Sequence, residues 1–181
     1  MKAKLSEYAL VAEIISAVAI ILSLFFVGFQ LRDTARATRS ATANASIASI
    51  SDWYAGLGQS QQASANFLNA METPDALTRE EWYQFVMNFH AAMLNFQNSY
   101  YLVEEGTLDP EIRNSLTAVI AAVKHLPGFH RYWEQRRKIF FPEFQAYVDA
   151  ILASEQRNSE GLYLDADGLT GDGSEAQDAQ R

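Results

Sequence analysis

From Ile14 to Phe29 the chain carries no charged side chain and consists mostly of Ile, Val, Leu, Phe and Ala. Extended to Tyr8–Leu31, the run is interrupted by charge only at Glu13. About 20 apolar residues cross the hydrocarbon core of a bilayer as a helix. Glu13 would then lie near one interface, where a carboxylate reaches water. A buried core helix is the first alternative, but no soluble helix of this chain needs to be apolar on all sides. A cleavable signal peptide is the second. Glu7 and Glu13 spoil its positive leading region, and Ala43-Asn44-Ala45 lies far beyond the apolar run. The expectation is a single transmembrane helix at the N-terminal end.

Arg32, Arg36 and Arg39 follow this helix, while Lys2 and Lys4 precede it. Three bases against two favour a cytoplasmic C-terminal domain. The three arginines share one helical face, placed to meet anionic lipid headgroups or simply to stop transfer. Within the helix, Ala12, Ser16, Ala19, Ser23 and Gln30 fall on one narrow stripe at about 100° per residue. Small residues let helices approach closely in lipid, where apolar surface alone gives no drive to pair. The stripe is therefore a candidate contact face for self-association or a protein partner, or the ordinary Ala and Ser content of a membrane helix.

Composition narrows the rest. The 181 residues are 49% hydrophobic and 20% charged, typical of a folded chain. The net charge of -8 is concentrated from Glu155 onward, where seven acids, Glu155 included, face two arginines. No basic footprint for nucleic acid is present. Absence of cysteine excludes disulfides, thiolate metal sites and a cysteine nucleophile.

Residues 34–51 are rich in Ala, Ser and Thr, with no helix breaker before Gly56-Leu57-Gly58. The expected organisation is a tail and transmembrane helix over 1–31, a helical stalk over 32–58, a bundle domain over 59–156 and a disordered acidic tail over 157–181. A helix from Leu31 to Ala55 would be about 37 Å long.

The anchor leads into Val27-Gly28-Phe29-Gln30-Leu31-Arg32 and Thr34-Ala35-Arg36-Ala37-Thr38-Arg39. With Gly128-Phe129-His130-Arg131-Tyr132-Trp133 and the amphipathic stretch from Phe144 to Leu152, this run resembles a large family of small, uncharacterised bacterial proteins with an N-terminal membrane helix. The likeness covers about residues 10–152. It implies a bacterial inner-membrane protein and supplies no catalytic residue.

The domain reads as all-α. Thr78-Arg79-Glu80-Glu81 is a capping box that opens the strongest helix. Trp82, Val86, Phe89, Met93, Phe96, Tyr100 and Val103 then repeat at the spacing of a bundle seam. Gly106 ends that helix, and Asp109-Pro110 starts the next. Ile112, Leu116, Val119, Ile120 and Val123 give it an apolar stripe, and Pro127-Gly128 stops it. Two further segments, Phe129–Phe141 and Pro142–Ser154, complete an antiparallel helical bundle.

Few residues carry chemistry. His90 and Gln97 lie seven apart on one face beside the seam. They form either a hydrogen-bonded pair that fixes packing or, with Arg136, a buried ligand site. Arg136 lines up with Phe129, Trp133 and Phe140. It would stack on Trp133, pair with Glu104 or Glu105, or build an anion site with His130, Arg131 and Arg137. The bases and aromatics between Lys124 and Phe141 suit either an anionic membrane surface or a solvated face over the core. Asp165-Ala166-Asp167-Gly168 fails as a calcium loop, since its twelfth position is Ala176 where a bidentate Glu is required. No nucleophile elbow, phosphate loop or zinc motif occurs. The expected function is that of a non-enzymatic, membrane-anchored interaction module without a cofactor. A membrane-tethered ligand sensor and an unrecognised enzyme are the alternatives.

Overall fold

A computed structural model describes residues Lys2–Glu155, with side chains from Ala12 onward. The described chain is all-helical: no strand occurs among these residues. The six helices are α1 (Lys2–Gly58), α2 (Gln61–Glu72), α3 (Arg79–Glu104), α4 (Pro110–Val123), α5 (Pro127–Arg136) and α6 (Pro142–Ala153). Single 3₁₀ turns at Pro74–Ala76 and Arg137–Ile139 join α2 to α3 and α5 to α6. The chain divides into two compact units, one up to Thr42 and one from Ala43.

In the first unit, α1 is long and apolar enough to cross a membrane, with a mean hydropathy of 2.5 over its most apolar window. None of that window is buried against protein. Ile14, Phe25 and Leu31 are each more than half exposed. Such exposure of large apolar side chains is costly in water and natural in lipid.

The second unit begins within the range expected to be stalk. Ile50 and Trp53, on α1, are buried in the bundle core, and Leu57 packs against it. The indole N–H of Trp53 donates to Asn88 Oδ1 on α3 at 2.9 Å. The last turns of residues 32–58 are therefore part of the bundle, because three bulky residues at positions 50, 53 and 57 give that end an apolar stripe.

Local signals set the helix ends. Thr78 Oγ1 accepts from the Glu81 amide at 3.3 Å, and Glu81 Oε2 accepts from the Thr78 amide at 2.8 Å. Asp109 Oδ1 takes the Glu111 amide at 2.7 Å, ahead of Pro110. Gly106 sits at φ +68°, a left-handed turn that glycine adopts without penalty. It reverses the chain so that α4 runs back along α3. Pro127 and Pro142 occupy the first turns of α5 and α6, where the missing amide hydrogen is not needed. Because α5 makes the return, α4 and α6 run parallel: Thr117 meets Tyr147, and Lys124 meets Ser154.

Aromatic rings fill the core. Phe85, Phe89 and Phe96 of α3 meet Phe67 of α2, Phe129 and Tyr132 of α5 and Phe144 of α6. Between Trp82 and Val103, α3 contains no Asp, Glu, Lys or Arg.

Candidate functional site

The residue after core Phe89 is His90, placed at the rim of the bundle. Across from it, α5 carries Tyr132, whose side chain is fully buried. His90 Nδ1 lies 2.7 Å from Tyr132 Oη. Burial pushes the phenol well above its ordinary range. It therefore keeps its proton, and among the described residues the imidazole is the acceptor within reach. Tyr132 donates to Nδ1, which leaves the hydrogen of neutral His90 on Nε2. Burial, with the nearby Arg136 charge, lowers the His90 pKa. Phe140 packs against the imidazole at 5.1 Å and stacks on Trp133 at 5.6 Å.

Arg136 completes this cluster in an unusual state. Its Nε is buried and has no hydrogen-bond acceptor. Neither ion pair among the described residues involves it. The expected pairing with Glu104 or Glu105 does not form, since those residues lie at the far end of α3. The stacking on Trp133 is not made either. The guanidiniums found over aromatic rings are Arg131 on Trp82, at 4.4 Å, and Arg113 on Tyr147, at 5.0 Å.

Gln97 does not pair with His90. Its Oε1 accepts from the Phe141 amide at 2.8 Å, which pins the start of α6 to α3. The two residues share a face but bond to different segments. His90, Tyr132 and Arg136 are thus brought together, with Gln97 two turns away.

Two neighbouring bases, Arg131 and Arg137, are committed to ion pairs. Arg131 Nη1 pairs with Asp75 at 3.1 Å and donates to the Pro74 carbonyl at 3.0 Å. Arg137 pairs with Asp149, which also accepts the Trp133 indole N–H at 2.9 Å. His130 is exposed. The anion site expected from these four residues is not assembled. Lys124 donates to the carbonyls of Ile151 and Ser154 and to Ser154 Oγ, closing the C-terminal end of α6. Between Lys124 and Phe141, three of the five bases are spent on the fold. Trp133 and Phe140 are buried, while Ile139 and Phe141 are more than half exposed.

On α1, Ala12, Ser16, Ala19, Ser23 and Gln30 are exposed, as are Arg32, Arg36 and Arg39. Ser16 and Ser23 each donate at 2.8 Å to the carbonyl four residues back, at Ala12 and Ala19. Their hydroxyls are satisfied within the helix, yet each oxygen keeps a lone pair for a neighbour. Phe26 projects only about 40° from the stripe, so the small face extends from Ala12 to Ser23 and then becomes bulky.

Grooves open on the bundle surface. One of about 420 Å³ is lined by Gln62, Asn66, Asn69, Glu81 and Gln84, among others. One of about 340 Å³ lies between α4 and α6 beside Thr117, Tyr147 and Ser154. Neither takes in His90, Gln97 or Arg136. Among the described residues, no three His, Asp or Glu side chains converge to hold a metal ion. Asp165–Gly168 lies outside the described residues.

Sequence reading missed Tyr132 and Asp149 as the centres of the two polar networks. A tyrosine one helical turn from Arg136 was the available signal for the first. Compared with known proteins, the chain matches no family model, no curated sequence and no solved structure.

Proposed function

We propose that this protein is a membrane-anchored interaction module, a non-enzymatic accessory or regulatory subunit of a membrane assembly. The observation that carries this reading is the apolar stretch of α1, long and apolar enough to span a bilayer, with its large side chains exposed. The bundle adds support: Lys124, Arg131 and Arg137 are spent on holding its segments together. The small-residue face from Ala12 to Ser23 offers a contact surface within lipid.

The resemblance in the Gln30-Leu31-Arg32 exit and the Gly128–Trp133 segment favours the bacterial inner membrane. Arg32, Arg36 and Arg39 favour a cytoplasmic bundle and meet anionic headgroups. Crosslinking in native membranes, then affinity purification and mass spectrometry, tests the reading. A stoichiometric partner is the expected result. A monodisperse, partner-free monomer in mild detergent would count against it. Labelling of cysteines introduced at Ser6 and Ser64 reports the topology.

One observation favours a second reading, a membrane-tethered sensor. Arg136 Nε is an unmet donor beside the His90–Tyr132 bond, where an oxygen acceptor on a small ligand would satisfy it. In that case His90→Ala changes ligand response more than stability. If the substitution lowers only the Tm, the histidine is structural.

A further inference from the structure

The chain passes out of α6 at its C-cap, Ser154, and Ser154 lines the groove between α4 and α6. That groove, about 340 Å³, has small and apolar walls: Ala118 and Ala121 on α4, Ala150 and Ile151 on α6. Thr117 and Tyr147 bond across it at 2.8 Å. A cation stands at each end. Lys124 closes the Ser154 end, where its ammonium is held by the carbonyls of Ile151 and Ser154. At the other end the Arg113 guanidinium lies 5.0 Å from the Tyr147 ring and bonds to the Asn114 side chain. Arg113 takes part in neither ion pair among the described residues. Glu104 and Glu143 act on the neighbouring Tyr100, but neither pairs with Arg113.

Residues 156–181 lie outside the described residues, and their sequence matches this groove in three respects. The first is bulk. Acids, glycines and small polar residues dominate the segment, but Leu162-Tyr163-Leu164 is a run of three large side chains within it. Large side chains fill a hollow walled by alanines. The second is reach. Seven residues, 155–161, join Ser154 to Leu162, a tether of about 23 Å when extended, and Gly161 allows the chain to reverse. Laid back along α6, Leu162 to Asp165 spans about 10 Å, which equals the rise from Ser154 to Tyr147 in a helix. The third is charge. Asp165 follows the apolar run directly, so it comes level with Arg113, which has no acidic partner. A tether this short also holds the run near the groove at an effective concentration on the order of mM. A separate chain would have to bind from solution and lose its translational freedom.

We infer that Leu162-Tyr163-Leu164 folds back over α6 into the α4–α6 groove, with Asp165 against Arg113, as an intramolecular cover of that groove. The groove is shut while the tail is seated and opens when the tail is displaced. This goes beyond the interaction-module reading and does not depend on it.

The chain has no cysteine, so introduced cysteines report proximity directly. Tyr163→Cys is combined with Ala150→Cys in the full-length chain and oxidised in native membranes. Ala150 is exposed, so its substitution spares the core. Tyr163→Cys with Gln62→Cys on α2 is the control. An intramolecular disulfide with Ala150→Cys, at least about tenfold above that with Gln62→Cys, is expected; linkage requires Cβ atoms about 3.5–4.5 Å apart. In a chain with Ala150→Cys alone, adding Leu162→Ser and Leu164→Ser should speed maleimide labelling about tenfold at unchanged Tm, because labelling follows the undocked fraction. Adding Asp165→Asn instead should speed it about twofold to threefold, an effect that disappears near 1 M salt. Equal linkage with Ala150→Cys and Gln62→Cys overturns the inference. Linkage solely between two chains overturns it too, since the groove then holds the tail of a second copy. A labelling rate that the Leu162 and Leu164 substitutions leave unchanged also overturns it: if fast throughout, nothing covers the groove, and if slow throughout, something other than this tail does.

Discussion

Gly128 is pressed against the backbone of Ala70: a Cβ built on it would lie 1.9 Å from the Ala70 carbonyl oxygen and 2.7 Å from Met71 Cα. The obstacle is main chain on α2, so no rotamer change relieves it. Gly128→Ala should therefore push α5 off α2 and lower stability by about 2–3 kcal/mol. Chemical denaturation in detergent measures this. Wild-type stability in the variant would mean that the two helices separate at no cost.

Trp53 tests whether the end of α1 belongs to the bundle. It packs edge-on against Phe67 at 5.8 Å and bonds to Asn88. Trp53→Ala should cost about 3–5 kcal/mol, a loss that an isolated stalk residue would not show. Thermal melts followed by circular dichroism decide between the two.

The His90–Tyr132 bond carries a pH signature. Burial holds the imidazole below its ordinary pKa of about 6.5, so the unfolded chain binds this proton first. The stabilising contribution is present above pH 6.5 and is lost as pH falls from there through the folded value. Tyr132→Phe removes one hydrogen bond from Nδ1 and should cost about 1 kcal/mol at pH 8. His90→Phe should flatten the stability profile below pH 6.5. An unchanged slope in His90→Phe would assign that titration to other groups.

Beside Tyr132, at the same C-terminal end of α5, the Trp133 indole and Arg137 of the following turn both donate to Asp149. The Arg137 hydrogen bond holds the Asp149 carboxyl below its usual pKa. Its stabilisation is thus present above pH 4 and is lost as acid protonates the folded state. Asp149→Asn keeps an acceptor for Trp133 and should differ from wild type at pH 7 more than at pH 3. Asp149→Ala orphans the indole N–H as well and should cost about a further 1–2 kcal/mol. Equal effects of the two substitutions would mean that the Trp133 bond contributes nothing.

What could be read before the structure was what a helix decides locally. The Thr78 capping box, the Trp82–Val103 seam, the Gly106 stop and the Asp109-Pro110 start each depend on residues within one or two turns. The long-range bonds were not legible. Gln97 was matched to His90 because periodicity aligns them, yet its acceptor serves a backbone amide 44 positions away, which no side-chain pattern encodes. Arg136 was given acidic partners because an arginine usually has one, and among the described residues it has none. Gly128 read as a helix stop. Its value instead is the hydrogen that lets α5 lie on α2, a property of two surfaces rather than of one segment. The open face of α3, with Tyr83, Leu94 and Tyr101, went unread in the sequence, because burial was needed to separate it from the face that fills the core.

The lack of ions along that open face sets how it responds to its medium. Contacts between charged surfaces weaken as salt shortens their reach to about 8 Å at 0.15 M. A surface of rings, thioether and amides has no such dependence, and agents that salt out apolar groups strengthen it. A contact made on this face should survive a high-salt wash and be lost in urea.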